Sequence, residues 1–175
     1  MQRSNSDSGL IVQRSNSDSG LTAQRSVLKT RFQNGKEQIF CEWRHRWVRL
    51  TPEEWVRQQL LHRMVEQLGY PASLIAVEIA FQMGKDKSLN RKCFRADAVV
   101  YDNTMSPLMI IECKAETVAI TQRTLDQAVN YNRLFNVPWL LLHNGPNTLC
   151  VNIHNTNLAF YDSIPTYSSI LIDHH

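Results

Sequence analysis

Asp97, Glu112 and Lys114 are the residues whose types and spacing point most directly to chemistry. Asp97 lies within Arg95-Ala-Asp-Ala-Val-Val-Tyr-Asp102, and fourteen residues separate it from Glu112-Cys113-Lys114. Side chains alternate along a strand, so Glu112 and Lys114 project from one face and Cys113 from the other. A hairpin pairing the two segments can bring Asp97 beside Glu112. Two carboxylates and an ammonium then converge on an otherwise apolar sheet, with Leu-Met-Ile-Ile directly before Glu112. A lone Glu-x-Lys is commonplace on a solvated surface. In apolar surroundings, however, such charges require partners or a metal. The group suits a hard cation that prefers oxygen, Mg²⁺ with Mn²⁺ as a substitute, which takes one or two carboxylates and leaves room for a phosphate. The ammonium could orient or help deprotonate a water for in-line attack at phosphorus.

The elements that must hold these residues are readable. Thr51-Pro52-Glu53-Glu54 is a helix start, with Thr at the N-cap, Pro at the first position and Glu three residues after the cap. Val56, Leu60, Leu61, Met64, Val65 and Leu68 form an apolar stripe, and Gly69 ends it. Strand patterns follow at 74–83, 94–102 and 108–115, separated by turn-rich segments. A second helix is expected from the Thr121 cap, with Leu125, Ala128, Val129 and Phe135 inward and Pro138 beyond its end. Trp139–His143, Leu149–Ile153 and Leu158–Tyr161 read as further strands. The order α-β-β-β-α-β makes three antiparallel strands and then a crossover to a parallel one. The expected class is α/β, a mixed central sheet flanked by helices.

The chain has 175 residues, enough for one domain with its own core. Its longest apolar runs are four residues, 108–111 and 139–142 among them, too short to span a bilayer. The four cysteines are at least 20 residues apart, which leaves no CxxC half-site. With no signal-peptide pattern, a reducing cytoplasmic location is expected. Residues 2–10 recur at 13–21 as Gln-Arg-Ser-Asn-Ser-Asp-Ser-Gly-Leu, and a third copy begins at Gln24. These units are too poor in apolar residues to offset their ordering entropy. Residues 1–30 are therefore expected to form a disordered tail, and 31–175 a single domain beginning near Phe32–Phe40. The net charge of +3 belongs mostly to the tail and says little about the domain.

Asp97…Glu112-Cys113-Lys114 resembles the PD-(D/E)XK nuclease motif, although Ala96 stands where that motif has Pro. Gln127 and Tyr131 form a Q-x-x-x-Y pair like that of the RecB-like branch. The run from Trp47 through Gln58 to Asn144-Gly145 resembles the N-terminal domain family of type I restriction enzyme R proteins. The likeness covers about 38–165. It implies a restriction-endonuclease-like core and a metal-dependent DNA nuclease, with internal cutting as the expected mode. It further implies Asp97 and Glu112 as metal ligands, with the Cys113 main-chain carbonyl as a third. Lys114 would serve the attacking water and the scissile phosphate, and Gln127 and Tyr131 would support Lys114 or contact DNA. The superfamily often has a Glu on its first helix. Glu53 shares the stripe of Val56, Leu60 and Met64 and is the favoured candidate, with Glu54 assigned to capping; Glu78 is left open between the site and a sheet edge.

DNA is the expected partner, with other restriction or repair subunits as further candidates. Lys85, Lys87, Arg91, Lys92 and Arg95 cluster between the first two strands of the core, and Arg57 follows Glu53 by four residues. These are the candidate phosphate contacts; for Arg57 the alternative is an ordinary ion pair. Arg44, Arg46 and Arg49 add a second basic group. No G-x-x-x-x-G-K-[ST] loop is present, so no helicase motor is expected in this chain. A noncatalytic DNA-binding or protein-interaction module of the same fold is the alternative.

Overall fold

The computed structural model describes residues 11–13, 28–82, 93–126, 129, 137–154 and 157–172. An N-terminal sheet contains β1 (Ile11–Gln13), β2 (Lys29–Gln33), β3 (Lys36–Cys41) and β4 (Arg46–Arg49), in that spatial order and antiparallel throughout. Asn34 and Gly35 join β2 to β3 with φ of 52° and 71°. Two positive φ values in a two-residue loop suit the twist of a tight hairpin, and Asn-Gly accepts them at low cost. Ile11–Gln13 and Lys29–Thr30 are thus strands within the stretch whose composition suggested a tail.

The first helix, α1 (Pro52–Leu68), begins where its cap residues indicate. Thr51 Oγ1 accepts the Glu54 N–H at 3.1 Å, and Gly69 closes the helix at φ 72°. Five strands lead away from it and back: β5 (Ile75–Gln82), β6 (Cys93–Tyr101), β7 (Pro107–Cys113), β8 (Trp139–His143) and β9 (Thr148–His154). With β10 (Asn157–Tyr161) they form a six-stranded sheet in the order β10-β9-β8-β7-β6-β5. Only the β7–β8 pair is parallel, so the sheet is mixed. The connection from β7 to β8 contains α2, described as helical over 122–126. A final helix, α3 (Tyr167–Ile172), follows β10.

Strand alternation divides the core between two faces of this sheet. Val56, Leu60, Leu61 and Met64 of α1 pack with Val100, Met109, Ile111 and Leu141, and Tyr167 and Ile170 of α3 join them. On the other face Val99, Ile110, Leu140 and Leu142 pack with Leu125 of α2. The central strands are covered on both sides, which is why β8 reads as an unbroken apolar run. Among the described residues, no helix is long and apolar enough to cross a membrane.

Candidate active site

Register places three carboxylates in one row across the sheet. Val77↔Ala98 and Ile79↔Ala96 bracket Glu78 opposite Asp97. Ala98↔Ile111 sets Asp97, one step further, opposite Glu112. Paired positions share a face, so the antiparallel hairpin does what the spacing suggested. Glu78 departs from strand geometry with φ 57°. That left-handed conformation costs a non-glycine residue about 1–3 kcal/mol and persists only where surrounding contacts impose it. At the next strand the Cys113 N–H donates to Asp97 Oδ2 at 2.7 Å.

Asp97 and Glu112 are half-buried, and the cations near them, Arg57 and Lys114, offset that burial only in part. Lys114 Nζ donates to Glu112 Oε1 at 3.0 Å, while Glu112 Oε2 is buried without a hydrogen-bond partner among the described residues. Burial raises the Glu112 pKa and the neighbouring Asp97 charge adds to the rise; Lys114 and Arg57 offset it only in part. Asp97 is also raised, chiefly by burial, against the opposing pull of the Cys113 N–H, Arg57 and Lys114. Burial alone would lower the Lys114 pKa, but Glu112 and Asp97 outweigh it and the net shift is upward. Lys114 is therefore an ammonium at neutral pH. Burial moves the Cys113 thiol far up, so its side chain offers no thiolate.

The other end of the row is closed by arginines. Glu78 pairs with Arg95 at 2.5 Å, Arg44 at 2.8 Å and Arg57 at 3.3 Å. Burial works to raise the Glu78 pKa, but these three cations prevail and hold it low. Glu54 is buried beneath them, taking Arg44 at 2.5 Å, the Gln58 amide at 2.7 Å and a short contact from Arg57. Arg57 also reaches Asp97 Oδ1 at 3.5 Å and so links the two ends of the row. A cleft of about 310 Å³ opens here, lined by Arg44, Arg49, Arg57, Glu53, Glu78 and Asp97 among others.

The structure corrects one placement. Glu53 is exposed at the cleft edge, whereas Glu54 is 5% exposed and faces the arginines. The buried side of α1 includes Arg57, Gln58 and Leu61, which lie three, four and seven residues after Glu54. That spacing was the available signal, and the cap role of this residue obscured it. Capping engages only the Glu54 backbone N–H, which leaves the carboxylate free to point inward. Arg57 and Arg95 are engaged by carboxylates: Arg57 pairs with Glu54, Glu78 and Asp97 rather than with Glu53 four residues before it, and Arg95 pairs with Glu78. Arg44 is the residue that sequence reasoning missed as a site member; its partners Glu54 and Glu78 lie ten or more positions away. Gln127, Tyr131, Lys85, Lys87, Arg91 and Lys92 lie outside the described residues.

Among the described residues, no group of three or more His, Cys, Asp or Glu side chains is arranged to hold a metal ion. The donor chemistry of Asp97 and Glu112 nevertheless fits a small divalent cation. Two neighbouring carboxylates, destabilised as anions by burial and with one oxygen left unpartnered, are what such an ion would relieve. His143 adds no charge nearby: burial lowers its pKa to about 4, and Nδ1 meets Thr148 Oγ1 at 2.9 Å.

Comparison with known proteins agrees with this architecture. Among solved structures, a fragment described as the HsdR subunit of a type I restriction enzyme from Vibrio vulnificus YJ016 superposes with a TM-score of 0.53 at 18% identity. The match covers 69% of this chain and 24% of that one, so the chain spans about a quarter of the HsdR chain it resembles. A cryo-electron-microscopy DrdV–DNA complex matches at a TM-score of 0.37 and 12% identity, over 70% of this chain and 12% of that one. No curated protein sequence matches. Residues 52–165, from the first residue of α1 to just before α3, match the family described as type I restriction enzyme R protein N terminus (HSDR_N). The chain belongs to that family.

Proposed function

We propose that this chain is a Mg²⁺-dependent nuclease that hydrolyses DNA phosphodiester bonds, cutting within the strand, on a restriction-endonuclease-like core. The observation that carries the reading is the buried, unpartnered Glu112 Oε2 beside Asp97, with Lys114 one strand alternation away. Asp97, Glu112 and the Cys113 main-chain carbonyl would hold the cation, and Mn²⁺ could replace it. When bound, the ion supplies activation of a water and stabilisation of charge at phosphorus.

The chain's own residues would do the rest. As an ammonium, Lys114 donates hydrogen bonds to the water or a phosphate oxygen; it is not a base in that state. The Cys113 N–H fixes one oxygen of Asp97 and Arg57 steadies the other, which aims the carboxylate before substrate arrives. Gln127 and Tyr131, as the family resemblance implies, would support Lys114 or contact DNA. DNA is the substrate in this reading, and other restriction or repair subunits are its natural partners.

The test is incubation of linear and closed-circular DNA with the protein in Mg²⁺ or Mn²⁺, beside Lys114→Ala and Asp97→Ala. Metal-dependent nicking or linearisation of the circle, abolished in both variants, is the expected result. Absence of cutting with either metal, with DNA binding equal in all three proteins, would instead establish a noncatalytic binding module.

A further inference from the structure

We infer that the outer face of the N-terminal sheet is a docking surface for the phosphate backbone of duplex DNA, set beside the catalytic cleft. DNA as the partner rests on the nuclease reading; the surface itself lies outside the residues that match the family.

The sheet's two faces differ in kind. Thr30, Ile39 and Val48 form one rung, and the first two are buried. Arg31, Gln38 and Arg49 form the adjacent rung, facing the other way. Stepping by two residues adds Lys29, Gln33, Lys36, Phe40 and Trp47 to that second face. None of these eight residues is buried, and Lys29, Lys36 and Arg49 are exposed. Four are cations and none is acidic. Register assigns Glu37, the acid of β3, to the opposite face, across from Phe32.

The face is also organised. Arg31 lies over the Trp47 ring at 4.3 Å, its Nε donates to Gln38 at 2.8 Å, and Phe40 meets Trp47 edge-on at 5.5 Å. These contacts hold a planar guanidinium in place on a rigid element, which lowers the cost of ordering it against a phosphate. With Arg31 covering Trp47, the ring is not presented as a platform for unstacked bases, so a duplex backbone fits better than a single strand. Elsewhere nearby the arginines are spent on carboxylates: Arg44, Arg57 and Arg95 all pair with Glu78. Every charged residue that register places on this face among the described residues is a cation, which suits a polyanion. Arg49 belongs both to this face and to the lining of the cleft, so DNA lying on the sheet would lead toward Asp97.

The test is binding of the full chain to a short fluorescein-labelled duplex, followed by anisotropy in EDTA across about 50–200 mM salt. EDTA removes cutting from the readout, so the result is independent of whether the protein is a nuclease. Lys29→Ala/Lys36→Ala/Arg49→Ala leaves the Arg31–Trp47 contact in place, and a thermal melt checks that the fold is kept. The logarithmic salt slope should fall by about 0.9 for each phosphate no longer neutralised, up to roughly 2.7 for three, with affinity weakened about tenfold or more. Removal of two arginines elsewhere, Arg63→Ala/Arg123→Ala, should leave the slope at its wild-type value. A wild-type slope and affinity in the triple variant would overturn the inference and leave an acidic protein as the occupant of this face. Failure of the wild-type chain to bind the duplex would overturn it as well.

Discussion

Two pairs of carboxylates lie side by side and are neutralised in opposite ways. Glu54 and Glu78 are enclosed by Arg44, Arg57 and Arg95, and Glu78 is held ionised by them. Asp97 and Glu112, the next positions along the same row as Glu78, are destabilised as anions, and one oxygen of Glu112 has no hydrogen-bond partner among the described residues. The fold satisfies the first pair from within. It gives the second pair only Lys114 and a longer contact from Arg57, and the proposed cation site rests on that contrast. Arg57 belongs to both environments and sets the boundary between them.

The largest effect should come from breaking the enclosed pair. Arg57→Ala removes a buried cation shared by Glu54, Glu78 and Asp97, leaves Glu54 with Arg44 and the Gln58 amide, and should cost about 1.5–3 kcal/mol in urea unfolding. A loss below about 1 kcal/mol would erase the distinction between the pairs.

A smaller and more discriminating effect is the sign of the pH response. Glu78 has a depressed folded pKa, so its contribution is present above the ordinary value of 4.5 and is lost as pH falls through the folded one. Glu112 has a raised folded pKa, so it imposes a cost above that pKa which is relieved as pH falls toward 4.5. Glu78→Gln should therefore reduce stability at neutral pH and flatten its loss in acid. Glu112→Gln should change neutral-pH stability by less than about 1 kcal/mol or raise it, since a strained like-charge contact is removed while the Lys114 hydrogen bond can persist. Thermal unfolding of both variants from neutral to acidic pH would show the opposite signs. The smallest effect should be that of Glu53→Gln, within about 0.5 kcal/mol of wild type, because Glu53 is an exposed side chain.

Much of the scaffold was legible because it depends on local chemistry. Thr51, Pro52 and Gly69 bound α1 by their own side-chain and backbone preferences. The alternation around Asp97 and Glu112, with a short turn between, was sufficient to predict their juxtaposition. The inward turn of Glu54 was not legible. It depends on Arg44 from the turn after β3 and on Glu78 from β5, contacts between segments whose pairing no local pattern encodes. The left-handed backbone of Glu78 is likewise a tertiary effect, since nothing about a Glu within an apolar strand calls for positive φ. The N-terminal sheet was only partly visible. Order was expected to begin only near Phe32–Phe40, because the low-complexity sequence before it drew the domain boundary to residue 31, past the start of β2 at Lys29.

Calorimetric titration of Mn²⁺ into the metal-free protein tests the central contrast most directly. Wild type and Glu78→Gln should both bind one ion with a measurable heat, whereas Glu112→Gln and Asp97→Asn should lose that heat while keeping their folded thermal transition. Equal binding by Glu112→Gln and wild type, or loss of binding on Glu78→Gln alone, would contradict the assignment of the open pair as the cation site.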